Sequence, residues 1–260
     1  MILEKKTVVV TGVGPGLGSE VARIALRDGA NVVIGARNGE KLEKIATELD
    51  PSGQRIAHAP TDITDVETCD ALMAKATDRF GGIDAVVQVA ALDALFGSLQ
   101  TTSTEDWQAS MNTNVIGTLQ LVRAAVEPLK LRGGGSIVLI GSQSMWHPPE
   151  FPQIAYASAK GALVSAMLHI TRELGPEKIR INMVIPTWMW GPPVEGFVKW
   201  QAKDRGVSEE DIVAGITSQM PLGEIPADED VAEAVAFFCS DRSRMITGQT
   251  LLVNAGELLR

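Results

Sequence analysis

Short runs of β-branched residues recur from one end of the chain to the other, each followed by a stretch long enough for a helix, and this alternation most narrows the folds available. Parallel strands cannot be joined by a tight turn, so strand–helix–strand repetition calls for a parallel sheet covered on both faces. Strands are expected at about Thr7–Thr11, Asn31–Ala36, Arg55–Pro60, Ala85–Val89, Ser136–Ile140, Arg180–Ile185 and Thr250–Val253. Helix signals fill the spans between: Thr64 with Glu67 and Ser103 with Asp106 have capping-box spacing, and Gly29 and Gly175 sit where helices would stop. No repeat, low-complexity tract or linker breaks the pattern. Residues 1–260 are therefore expected to form one α/β domain, a doubly wound parallel sheet of about seven strands with helices on both faces. Residues 187–226, with WMWGPP and further prolines, depart from the alternation and read as an insertion beside a ligand site.

Composition narrows the partners. A net charge of −9 with no basic block disfavours nucleic acid and anionic membrane surfaces, which leaves a small molecule. No apolar run is long enough to span a bilayer. Cys69 and Cys239 lie far apart without metal-ligand spacing, so reduced thiols and no metal site are expected. Met1, Glu4, Lys5 and Lys6 lead directly into TVVVT, without a signal peptide, and a cytoplasmic location is the expectation.

Directly after the first strand comes TGVGPGLG, and then the helical SEVARIALRDG. Gly12, Gly16 and Gly18 at such a junction let backbone and a helix N-terminus approach a pyrophosphate. At the end of the second strand, where a carboxylate would bind a free ribose 2′-hydroxyl, stands Ala36, followed by Arg37. Arg37 can fork onto a 2′-phosphate, which favours NADP(H) and leaves NAD(H) possible.

Tyr156 is the only tyrosine, and Lys160 follows four residues later in the helical AYASAKGALVSAMLHITREL, so both belong on one helix face. An ammonium beside a phenol favours phenolate, which is expected to lower the tyrosine pKa and make it a usable acid and base. The strand GGSIVLIGS ends at Ser142, at the sheet edge where open α/β folds bind ligands. Its hydroxyl could donate to a substrate oxygen on which charge builds; Ser144 competes for that role.

With these pieces in order, the chain resembles the short-chain dehydrogenases/reductases of the classical type. The resemblance runs through TGVGPGLG, Asp62 after the third strand, DAVVQVAA, NVIG at Asn114 to Gly117, Ser142, YASAK, INMVIP and ITGQTLLVNAG, and so spans the whole chain. YASAK is specific by itself; the others count through order and spacing. The resemblance implies a Rossmann-like fold and hydride transfer between a nicotinamide dinucleotide and a carbonyl or secondary alcohol. It implies that Tyr156, Lys160, Ser142 and Asn114 are catalytic. Lys160 would also hold the nicotinamide ribose hydroxyls, and Asn114 would hold a water through a disturbed helix turn, with Asn112 offering the same chemistry two residues earlier. Cofactor contacts are implied for Gly12, Gly14, Gly16, Leu17 and Gly18 of the turn, for Arg37, Asp62, Ile63 and Ala90, and for Tyr156, Lys160, Pro186 and Trp188. A homo-oligomer, tetramer or dimer, is implied too.

The chain departs from the family pattern at three places. QVAA stands at Gln88 to Ala91 where relatives have NNAG; Thr187 follows Pro186 where they have glycine; and Pro15 stands where NADP(H)-preferring members often carry a basic residue. Thr187 is the remaining candidate for the carboxamide contact. Ser144, Met145, Trp146, His147, Phe151, Trp188, Trp190, Phe197 and Trp200 gather around the expected pocket and suggest a bulky apolar substrate, although the aromatics are equally readable as core or subunit contacts. The competing function is a non-catalytic dinucleotide sensor, which would use the glycine turn and Arg37 but not the four candidate catalytic residues. A serine hydrolase is disfavoured because GSQSM ends in Met145, where a nucleophile elbow needs glycine.

Overall fold

The structure, a computed structural model, describes residues 1–260. Seven strands, β1 (Thr7–Thr11), β2 (Asn31–Ala36), β3 (Ile56–Pro60), β4 (Ala85–Gln88), β5 (Gly135–Ile140), β6 (Ile179–Pro186) and β7 (Thr250–Val253), form one parallel sheet in the order β3-β2-β1-β4-β5-β6-β7. Each expected strand is found, with ends moved by no more than a residue. Helices α1 (Leu17–Arg27), α2 (Gly39–Leu49) and α3 (Val66–Phe80) follow the first three strands. Between β4 and β5 come α4 (Thr104–Met111) and α5 (Thr118–Leu131), and after β5 comes the long α6 (Ile154–Leu174). The connection from β6 to β7 holds α7 (Pro192–Arg205), α8 (Glu209–Thr217) and α9 (Asp228–Cys239).

The buried β-branched runs explain the layering. Along β1 every side chain is buried, Val8 and Val10 against α1, α2 and α9, and Val9 against α3, α5 and α6. A strand with two apolar faces settles only between two helix layers. Because β1 has β2 on one side and β4 on the other, the connections leave in opposite directions and a crevice opens beyond the carboxyl ends of the strands. Residues 187–226 wall that crevice with α7 and α8, which share a small core of Val198, Ala202 and Ile212. No helix is long and apolar enough to cross a membrane.

Some local expectations change. Asp65, and not Thr64, caps α3 by accepting the Glu67 N–H at 2.9 Å, because the Thr64 hydroxyl is drawn to the Asp62 carboxylate at 2.7 Å. Ser103 does cap α4, accepting from Asp106 N at 3.0 Å. Gly29 ends α1 with φ 95°, as a glycine stop should. Gly175 at φ −55° continues into a short 3-10 turn, and the left-handed stop falls on Lys178.

Candidate active site

The glycine turn divides into two kinds of glycine. A Cβ on Gly12 would lie 2.2 Å from Ala90 N, and one on Gly18 would lie 2.4 Å from Gly12 O, so these two exist to let backbone pass backbone. Gly14 faces open space, and Gly16, with φ 115°, meets only an Asp228 carboxylate oxygen at 3.5 Å. No protein acceptor takes the Leu17 or Gly18 N–H at the start of α1. A cradle bare of side chains, with free amide donors at a helix N-terminus, fits a pyrophosphate. The QVAA departure leaves the close approach of Ala90 to Gly12 intact, with the Gln88 amide donating to Ala90 O at 3.1 Å and to the Thr118 hydroxyl.

The turn opens into a cleft of about 1550 Å3 that also reaches Ala36, Arg37, Ser142, Ser144, Tyr156 and Lys160. Tyr156 and Lys160 lie on the same side of α6, with Nζ 5.6 Å from the phenol ring centroid. The Lys160 side chain is buried and donates to Ile140 O at 2.7 Å, at the end of β5. Burial pulls its pKa down to about 8, against the negative charge of Asp93, which holds it up. The phenol does not follow the expectation that the neighbouring ammonium lowers it. Burial drives the Tyr156 pKa above its ordinary value, Asp93 adds to the rise, and the Ser142 hydroxyl works against both. Desolvation dominates, so Tyr156 stands as an O–H donor. The Ser142 and Ser144 hydroxyls are 2.9 Å apart, so the two candidate serines act as one hydrogen-bonded pair.

Asn114 lies in a six-residue π-helical segment, Asn112–Gly117, between α4 and α5, which is the disturbed turn the resemblance implied. Its side chain is buried off the cleft wall: Oδ1 accepts from Leu92 N at 2.8 Å and Nδ2 donates to Leu92 O at 2.9 Å. Its carbonyl accepts from the Thr118 hydroxyl at 2.8 Å. The amide thus staples the loop after β4, while Asn112 and Thr113 reach the cleft.

Known proteins share this arrangement. A family model described as enoyl-(acyl carrier protein) reductase matches residues 12–257. Dehydrogenase/reductase SDR family member 4 of Sus scrofa is 30% identical, over 99% of this chain and 89% of its own length. The chain is a short-chain dehydrogenase/reductase. An uncharacterised oxidoreductase of Mycobacterium tuberculosis is likewise 30% identical over the whole of both chains. Among solved structures, the L-sorbose reductase of Gluconobacter frateurii, complexed with NADPH and L-sorbose, matches with a TM-score of 0.92 at 25% identity over 100% of both chains. Membership makes the protein an NAD(P)-dependent oxidoreductase acting on CH–OH and C=O groups of small molecules.

In this short-chain dehydrogenase/reductase, Gly12, Gly14, Gly16, Leu17, Gly18, Arg37, Asp62, Ile63, Ala90, Pro186 and Trp188 all line the cleft. Met145, Trp146 and Trp190 do not. Met145 and Trp146 pack against the core beside α6, and the Arg260 guanidinium lies 4.1 Å from the Trp146 ring centroid. Trp190 is held by its backbone, donating to Pro226 O at 2.7 Å, and is 39% exposed without lining the cleft. Thr187, the carboxamide candidate, donates its hydroxyl to Glu257 near the C-terminus. The sequence reading missed Asp93 and Phe96 on the loop after β4, Gln201 on α7, and Asp228, whose carboxyl beside Gly16 is raised above the usual range by burial and by Glu20.

Proposed function

We propose that the protein is an NADP(H)-dependent carbonyl reductase for bulky apolar ketones, with Tyr156 as proton donor. Convergence of a protonated phenol, a serine pair and a buried ammonium on the cleft that begins at the glycine cradle carries this reading. Bound NADPH would supply the hydride. Tyr156 Oη gives its proton to the substrate oxygen, and Ser142 Oγ donates to the same oxygen as negative charge grows there. Lys160, anchored by one N–H to Ile140 O, keeps its other donors for ribose hydroxyls. Asn114 acts at one remove, by fixing the loop at Leu92.

The preference for NADP(H) is supported by Arg37, which is exposed at the cleft edge without a hydrogen bond or a direct ion pair, its charge felt only by Asp62, and by the lack of a carboxylate at Ala36. A bulky apolar substrate is supported by the cleft-lining rings of Phe96, Phe151, Trp188 and Phe197. A homo-oligomer is supported by Ile116 and Leu168, 48% and 51% exposed beside α5 and on α6.

Loss of reduced-nicotinamide absorbance, followed with NADPH and NADH across a panel of cyclic ketones, tests the reading. NADPH consumption at greater efficiency than NADH is expected. Dinucleotide binding without turnover of any ketone would instead indicate a sensor.

A further inference from the structure

Two cleft carboxylates, Asp93 and Asp228, have no side-chain hydrogen bond or ion pair, and Asp228 lies beside Gly16 at the glycine turn. On the substrate side, Glu150 faces Arg205 at 3.9 Å, Asp211 accepts from the Ser208 hydroxyl at 2.9 Å, and Glu257 accepts from Thr187. Asp93 has no hydrogen bond and no ion pair, so it does nothing visible for the fold. Its side chain is exposed, on a loop anchored just before it, where both backbone groups of Leu92 are bonded to the buried Asn114 amide. Its charge is felt at Tyr156 and Lys160, which places it within electrostatic reach of the reacting carbonyl.

Three residues further along the same loop, Phe96 meets Phe151 edge-on at 5.8 Å, and Phe151 in turn meets Trp188 at 5.8 Å and Phe197 at 5.9 Å. Trp188 and Phe197 close the group at 5.0 Å. An unpaired carboxylate lining the same cleft as a cluster of aromatic rings is complementary to a cation with an apolar body, since ring faces and carboxylate both attract positive charge. Gln201 adds a buried side-chain carbonyl oxygen without a partner on the same wall. A polyol suits these walls less well, because most of its hydroxyls would meet rings and be left unpaired.

We propose that Asp93 is a specificity residue that selects ketones carrying a cationic nitrogen, the aromatic cluster holding the ammonium's apolar substituents. This rests on the carbonyl-reductase reading and narrows its substrate class to amino ketones and the corresponding amino alcohols.

The test compares two ketones of nearly the same shape: a cyclohexanone gem-dimethylated opposite its carbonyl, and the piperidinium ketone carrying the same two methyls on its ring nitrogen. They match in shape and differ in charge, and the difference in carbonyl electrophilicity that the charge brings is the same for both proteins. With NADPH, the kcat/KM ratio of cation to carbon isostere is expected to exceed about tenfold in the native enzyme and to fall to near unity in Asp93→Asn. The ratio within each protein cancels any common effect of the substitution on proton transfer. A ratio near or below unity in the native enzyme, a ratio unchanged by Asp93→Asn, or faster turnover of a polyhydroxylated ketone would overturn the inference. NADPH binding, read from nicotinamide fluorescence, with neither ketone reduced would also overturn it and leave the cofactor assignment standing. Failure to bind either NADPH or NADH would remove the reductase reading itself.

Discussion

Adding one methyl group to the glycine turn at two different positions separates its structural from its open glycines. In Gly18→Ala the new Cβ would fall 2.4 Å from Gly12 O and 2.9 Å from Val13 Cα. Both are backbone atoms that cannot swing aside, so the turn must move relative to α1. Overpacking of this kind costs about 1–3 kcal/mol. At ~2–4 °C per kcal/mol for a large domain, Tm should fall by about 2–12 °C. NADPH affinity should fall with it, because the same contact sets the spacing of Gly14 and Gly16. Gly14→Ala is the matched control: its methyl meets nothing within 4 Å and its φ is not left-handed. That variant should keep the native Tm, since alanine also restricts the unfolded chain. Differential scanning calorimetry with fluorescence titration of NADPH reads both. Equal Tm for the two variants, or greater damage from Gly14→Ala, would refute the division of the turn.

Three further outcomes follow from charges on the cleft. Arg37→Asp removes the unpaired cation and installs an acceptor for a free 2′-hydroxyl; a charge-assisted bond worth about 1.5–3 kcal/mol corresponds to roughly 10–150-fold of NADPH preference, so the NADPH/NADH ratio of kcat/KM should fall at least tenfold, and an unchanged ratio would dismiss Arg37. The Lys160 pKa near 8 lies below its ordinary value, so the ammonium is present below that pH and lost above it, and kcat/KM for reduction should decline as pH rises through about 8. Because Asp93 holds the Lys160 pKa up, Asp93→Asn should move this limb to lower pH; a move to higher pH would contradict the assignment.

What the sequence makes legible are the features written in local spacing. A strand such as VVV in β1 needs apolar neighbours on both faces, and Val8, Val9 and Val10 find them in two different helix layers. The four-residue step from Tyr156 to Lys160 fixes their shared face whatever surrounds them. The direction of the tyrosine shift was not legible, because it depends on how deeply the phenol is buried, and spacing to a lysine carries no information about that. Trp146 and Trp190 show the same limit: lying close in sequence to the pocket did not say on which side of the backbone their rings would fall. Asp93 and Phe96 sit on a loop without periodicity, and Asp228 meets Gly16 only because α9 packs against α1. Nothing in their own neighbourhoods marks them.

In the proposed mechanism the chain's single phenol hands a proton to substrate. Tyr156→Phe removes one oxygen from α6 and leaves the ring to pack as before, so ketone-dependent NADPH oxidation is the most direct measurement. A fall in kcat of roughly a hundredfold to ten-thousandfold, with Tm and NADPH affinity retained, is expected. Turnover close to that of the native enzyme would contradict it.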